Sequence, residues 1–93
     1  MKIKILDLAI QDLENAQHFY AQQQEGLAEY FLDAMFADIE SLQLYAGVHQ
    51  IYFGYYRLLA KRFPYAIYYK IVEQEIHIWR ILDCRASFKI DHG

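Results

Sequence analysis

The chain has 93 residues, 56% of them hydrophobic and 17% aromatic, with a formal net charge of −3. That length makes one domain burying roughly 60–65% of its unfolded surface, and the longest apolar runs are far too short for a membrane-spanning helix. A single cysteine, Cys84, excludes an internal disulfide and fits a reducing cytoplasm.

Lys2 and Lys4 precede an apolar stretch that Asp7 interrupts, and no small-residue cleavage site follows, so no signal peptide is expected. Residues 3–6 are short, apolar and flanked by charge, which reads as an edge strand. Asp7 is the expected N-cap of a helix over residues 8–23, where Ala9, Leu13, Ala16 and Tyr20 recur at helical spacing. Gly26 breaks that pattern. A second helix follows over residues 27–45, with Leu27, Phe31, Met35, Ile39 and Leu42 as its buried stripe and Glu29, Asp33 and Glu40 in water. Two helices joined this briefly form an antiparallel hairpin. Residues 47–53 read as a connector.

Three strands close the chain, over residues 55–61, 65–72 and 75–85, rich in aromatic and β-branched side chains. Phe63-Pro64 reads as a turn device between the first two, since Pro64 lacks a ladder donor. With Glu73-Gln74 as a two-residue loop, Ile71 faces Ile76, Tyr69 faces Ile78 and Ile67 faces Arg80. On the other face Val72 meets Glu75, Lys70 meets His77 and Tyr68 meets Trp79. One face is then aliphatic and suited to a core, the other aromatic and polar. Arg80 is the misfit on the aliphatic side. The expected architecture is α+β: an N-terminal strand, an antiparallel helical hairpin, then a three-stranded antiparallel sheet.

Charge divides along the chain. Residues 1–53 carry −6 and residues 54–93 carry +3. Either the sheet half meets an anionic partner or the two halves complement each other within the fold. His18, His49, His77 and His92 lack zinc-ligand spacing, so no metal site is expected. Cys84 reads as a strand cysteine facing the core rather than a nucleophile. There is no glycine-rich phosphate loop and no serine nucleophile elbow. The tyrosines at 55, 56, 65, 68 and 69, interleaved with basic residues, suit either base stacking or a core and protein interface. The acidic overall balance favours the second reading.

The run Arg57, Lys61, Arg62-Phe63-Pro64-Tyr65-Ala66-Ile67-Tyr68-Tyr69, followed by Ile76-His77-Ile78-Trp79 and Leu82-Asp83-Cys84-Arg85, resembles the toxins of the RelE/ParE superfamily. With the element order, the resemblance spans nearly the whole chain. These are toxins of type II toxin–antitoxin systems, silenced by a cognate antitoxin whose C-terminal segment wraps them. One branch cleaves mRNA on the ribosome and another poisons DNA gyrase. For the first branch, Arg57 matches a basic position on the first hairpin strand and Arg85 the arginine ending the last strand. Ala66 replaces that branch's second-strand arginine and Leu59 a first-strand lysine. Its C-terminal tyrosine has no counterpart, position 91 being aspartate and Phe88 the tail's one aromatic residue.

Loss of one transition-state donor commonly costs about 100- to 1000-fold in rate, so the departures favour a gyrase-poisoning toxin. The resemblance leaves two alternatives, an mRNA interferase using Arg57 and Arg85, or an inactive relative that binds only its antitoxin. It implies no cofactor, no membrane association, and assembly as a homodimer or a hetero-oligomer with antitoxin. Arg57, Arg62, Tyr68, Trp79 and Arg85 are the expected contacts to antitoxin or target, with an acidic amphipathic segment laid along the sheet and helix groove.

Overall fold

The computed structural model describes residues 1–85. Its elements are β1 (Lys2–Ile5), α1 (Asp7–Ala21), α2 (Leu27–Glu40), α3 (Leu42–Tyr45), β2 (Ile51–Tyr52), β3 (Tyr55–Leu59), β4 (Tyr65–Val72) and β5 (Glu75–Asp83). They form an α+β fold with a five-stranded sheet ordered β1-β5-β4-β3-β2. The expected three antiparallel strands are present. β1 adds to them as an edge strand parallel to β5, and β2 pairs antiparallel with β3.

Period-3.6 apolar spacing decides what the helices bury. Ala9, Leu13, Ala16 and Tyr20 of α1, with Phe31, Met35 and Ile39 of α2 and Leu42 of α3, face Tyr65, Ile67, Tyr69, Ile76, Ile78 and Ile81 of the sheet. The N-cap of α1 is Leu6, not Asp7, which lies inside the first turn and meets the positive end of the helix dipole instead. The second helix breaks at Ser41. There the Ser41 hydroxyl donates to the Asp38 carbonyl, and this back-bonding competes with helical continuation. The Asp38 carboxylate, buried on α2, accepts the Lys61 N–H at 3.1 Å and ties the β3–β4 loop to the helices.

Residues 47–53 are more than a connector. Ile51↔Tyr56 and Tyr52↔Tyr55 pair around a two-residue turn, Phe53-Gly54, whose φ values of 55° and 85° are both left-handed. Two positive φ values mark the turn that matches strand twist, and the exposed Phe53 adopts one without glycine's freedom. Phe63 is likewise more than turn chemistry. Its ring sits 5.0 Å from both Tyr20 and Phe31, where it locks the loop before β4 onto the helical hairpin.

The β4–β5 register follows expectation from Val72↔Glu75 to Tyr69↔Ile78 and then departs from it. Tyr68 pairs with Arg80, not Trp79, and Ile67 with Ile81, not Arg80. Trp79 is thus the extra residue of a β-bulge. Strict alternation would have aimed Arg80 at the core. The inserted residue brings Ile81 inward, and Arg80 meets Asp12 of α1 at 2.7 Å. Past Ile78, β1 has ended and the edge of β5 lies open. The same Asp12 carboxylate takes the Ile81 N–H there at 2.9 Å.

Candidate functional site on the open face of the sheet

Alternation along β3, β4 and β5 places a second set of side chains on the face away from the helices. Arg57 from β3 and Tyr68 from β4 meet there, and Leu82 and Asp83 of β5, Cys84 just beyond it, and Tyr52 and Phe53 of the β2–β3 hairpin complete an open cleft of about 450 Å³. Arg57 Nε donates to the Tyr68 hydroxyl at 3.2 Å. Its Cζ lies 4.8 Å from the centroid of the Tyr52 ring, and its Nη2 lies 3.9 Å from the Cys84 Sγ.

The expected site residues separate into three places. Arg57 and Tyr68 share the cleft. Arg85 lies just past its Asp83 wall, where its Nη2 pairs with the Asp83 carboxylate at 2.8 Å and its backbone N–H donates to the same group at 2.8 Å. That local turn ends β5 at Asp83, so the strand stops short of residue 85. It also turns Cys84 out into the cleft wall, exposed rather than facing the core as expected. Trp79 lies on the same face in a separate cluster. Lys70 Nζ sits 4.6 Å from the Tyr55 ring and 5.6 Å from the Trp79 ring, and the buried Trp79 Nε1 has no hydrogen-bond partner. Arg62 belongs to neither cluster. It is exposed in the β3–β4 loop and forms no ion pair among the described residues.

Sequence reasoning missed Tyr52, Phe53 and Leu82 because residues 47–53 were read as a connector and the bulge was not foreseen. The signal was present: Phe53-Gly54 between Ile51-Tyr52 and Tyr55-Tyr56 has the spacing of a two-residue hairpin.

The cleft is suited to holding a ligand more than to moving protons. Partial burial opposes charge on Arg57, but the hydrogen bond and field of Tyr68 outweigh it and raise the guanidinium pKa. Burial raises the Tyr68 phenol despite Arg57, so the hydroxyl stays protonated near neutral pH. Arg85 lowers the Asp83 carboxyl by hydrogen bonding, which keeps that group ionised and engaged. None of these groups is poised near neutral pH for acid–base work. Among the described residues, no cluster of histidine, cysteine, aspartate and glutamate is arranged to hold a metal ion. No helix there is long and apolar enough to cross a membrane.

Residues 3–88 match the family model of the ParE toxin of the type II toxin–antitoxin system, parDE. The chain belongs to the ParE toxin family. Among solved structures, the chromosomal ParDE TA system from P. aeruginosa is similar, with 23% identity, coverage of 87% of this chain and 92% of that one, and a TM-score of 0.75. At that identity the likeness speaks for the fold. Comparison with curated proteins gives no match. In this ParE-family toxin, the positions that depart from the ribonuclease pattern bring no cation to the cleft. Ala66 is buried, and Leu59 is exposed outside it. Phe88 and Asp91 lie outside the described residues.

Proposed function

We propose that this toxin acts by holding a macromolecular target, DNA gyrase, rather than by cutting RNA, and that a cognate antitoxin silences it. The observation that carries the reading is the Arg57–Tyr68 cleft. It offers one guanidinium, a phenol held protonated and aromatic walls, without a second cation or a group poised for proton transfer. RNA cleavage at a 2′-hydroxyl needs charge stabilisation together with an acid and a base, and this cleft is short of all but one guanidinium. The antitoxin is an acidic amphipathic segment that meets Arg57 and Arg85 at the cleft, reaches Arg62 on the β3–β4 loop, and packs on Tyr68 and Trp79. The similar solved structure is that of a ParDE TA system, which supports such a partner.

Induced expression with pulse-labelled DNA and protein synthesis tests the target. Early arrest of DNA synthesis with double-strand breaks is the expected result. Early arrest of translation with mRNA cut on ribosomes would instead assign Arg57 and Arg85 to an mRNA interferase. Unhindered growth would leave a chain that only binds its antitoxin. Reversing charge at Arg57 and Arg85 together is expected to weaken antitoxin binding at least ~10-fold, and unchanged affinity would remove both from the interface.

A further inference from the structure

We infer that β2 is a self-association edge, through which two copies of this chain join their sheets about a twofold axis. Three independent features of the 41–56 segment lead there. It is a 16-residue stretch containing no aspartate, glutamate, lysine or arginine. Burial lowers the pKa of its one histidine, His49, which keeps the segment uncharged near neutral pH. A second copy with the same net charge of −3 can therefore approach this segment without like charges meeting.

The second feature is exposed apolar surface. Leu44, Val48 and Ile51 are 81%, 72% and 61% exposed, Tyr45 and Phe53 are more than half exposed, and Tyr52 is 38% exposed. Together they present roughly 700 Å² of surface, taking ~200 Å² for a full-size side chain. The largest apolar patch on an ordinary monomer is about 300–600 Å², and each partner of a standard interface buries about 800 Å².

The third is the hydrogen-bond phase of the edge. Arg57 N donates to Gln50 O at 2.9 Å, and Tyr52 pairs with Tyr55 next to the turn. In an antiparallel ladder the bonded pairs alternate, so Ile51 is a non-bonded position whose N–H and C=O face away from β3. Outside the β2–β3 ladder they have no backbone hydrogen-bond partner among the described residues. One residue presenting both groups at an edge is what a twofold needs. Ile51 of one copy exchanges two N–H···O bonds with Ile51 of the other, which makes the contact isologous. The five-stranded sheet becomes ten-stranded, and the exposed Val48, three residues before Ile51, adds apolar cover where the new strand pair begins. Because such an axis stands perpendicular to the sheet, both Arg57 clefts open on the same side of the dimer. That arrangement fits a target that is itself twofold symmetric.

Sedimentation equilibrium on the full chain, made by cell-free synthesis so that growth inhibition is bypassed, tests this. Wild type is expected to show twice the chain mass at micromolar concentration. Val48→Lys places a charge in the apolar patch, and Ile51→Pro deletes the outward N–H at a site where an edge strand tolerates proline. Each is expected to raise the dimer dissociation constant at least ~10-fold while the thermal melt of the monomer is retained. If Ile51→Pro fails to fold, Val48→Lys decides alone. A wild-type chain that stays monomeric through the micromolar range overturns the proposal. So does a dimer that survives Val48→Lys unchanged.

Discussion

Replacing Asp12 by alanine tests whether one carboxylate closes the open edge of β5. The Asp12 side chain is 12% exposed and that of Arg80 33%, and they meet through Nε at 2.7 Å and Nη2 at 3.0 Å. Alanine removes this pair and leaves the Ile81 N–H, bonded at 2.9 Å, without its acceptor. An orphaned backbone donor costs about 1–3 kcal/mol and a charge-assisted hydrogen bond about 1.5–3 kcal/mol. A guanidinium one-third exposed recovers much of its hydration, so the combined loss is about 2–3 kcal/mol rather than the sum. In a domain of this size that lowers the melting midpoint by roughly 10–20 °C. Urea unfolding with hydrogen exchange at Ile81 provides the assay. Asp12→Asn keeps one acceptor oxygen for the Ile81 N–H and should lose about half as much. A loss under about 0.5 kcal/mol in Asp12→Ala, or unchanged protection at Ile81, would refute the reasoning.

Three further expectations rest on separate contacts. Phe63→Ala should destabilise by about 2–4 kcal/mol, because the ring packs on both Tyr20 and Phe31; a loss under about 1 kcal/mol in urea unfolding would show that the loop before β4 is not anchored there. Glu73 opens the β4–β5 turn with a φ of 59°, so Glu73→Asn, a residue tolerant of the left-handed region, should stabilise by about 0.5–1 kcal/mol; a lower melting midpoint would contradict this. His49 bonds the Tyr69 hydroxyl, and burial lowers its pKa, so the unfolded chain takes up its proton first as pH falls. The stability held above the unfolded pKa of about 6.5 is lost as pH falls from there through the lowered value, and His49→Gln should flatten that part of the profile. An identical acid-side slope in the variant would remove His49 from the account.

The fold was largely legible because its two periods are strong. Apolar spacing marked the buried faces of α1 and α2, and alternation in β4 and β5 gave a register that holds from Val72 to Tyr69. It failed at Trp79, where a long-range contact decided the outcome. Asp12 lies 68 residues from Arg80, and no local pattern connects a helix carboxylate to a bulge in the last strand. Tyr52 and Phe53 were missed for the opposite reason. Their hairpin signal was local but only two residues long on one side, and Phe53 occupies a left-handed position where Asn or Gly would have announced the turn. Cys84 was expected inward as an ordinary strand cysteine, but the Asp83–Arg85 turn stops the strand first.

The uneven charge of the two halves left two explanations open, and the ion pairs decide between them. Among the described residues, Asp12–Arg80 and Lys4–Glu75 join residues 1–53 to the sheet half, while Asp83–Arg85 and the His77–Glu75 contact stay inside it. Of these, only Asp12–Arg80 sets a front-half acid against a sheet-half base, since Lys4–Glu75 runs the other way, and one pair is too few to cancel a front half of −6 against a sheet half of +3. In the open-face clusters, Arg57 and Lys70 rest on aromatic rings rather than on carboxylates, which restrains their side chains while leaving their charge uncompensated. Complementation within the fold therefore accounts for a small part of the asymmetry. The remainder gives the open face a field that attracts an acidic segment. The acidic antitoxin segment proposed above would be repelled from the acidic helices, so under that proposal the charge pattern favours the sheet as its docking side.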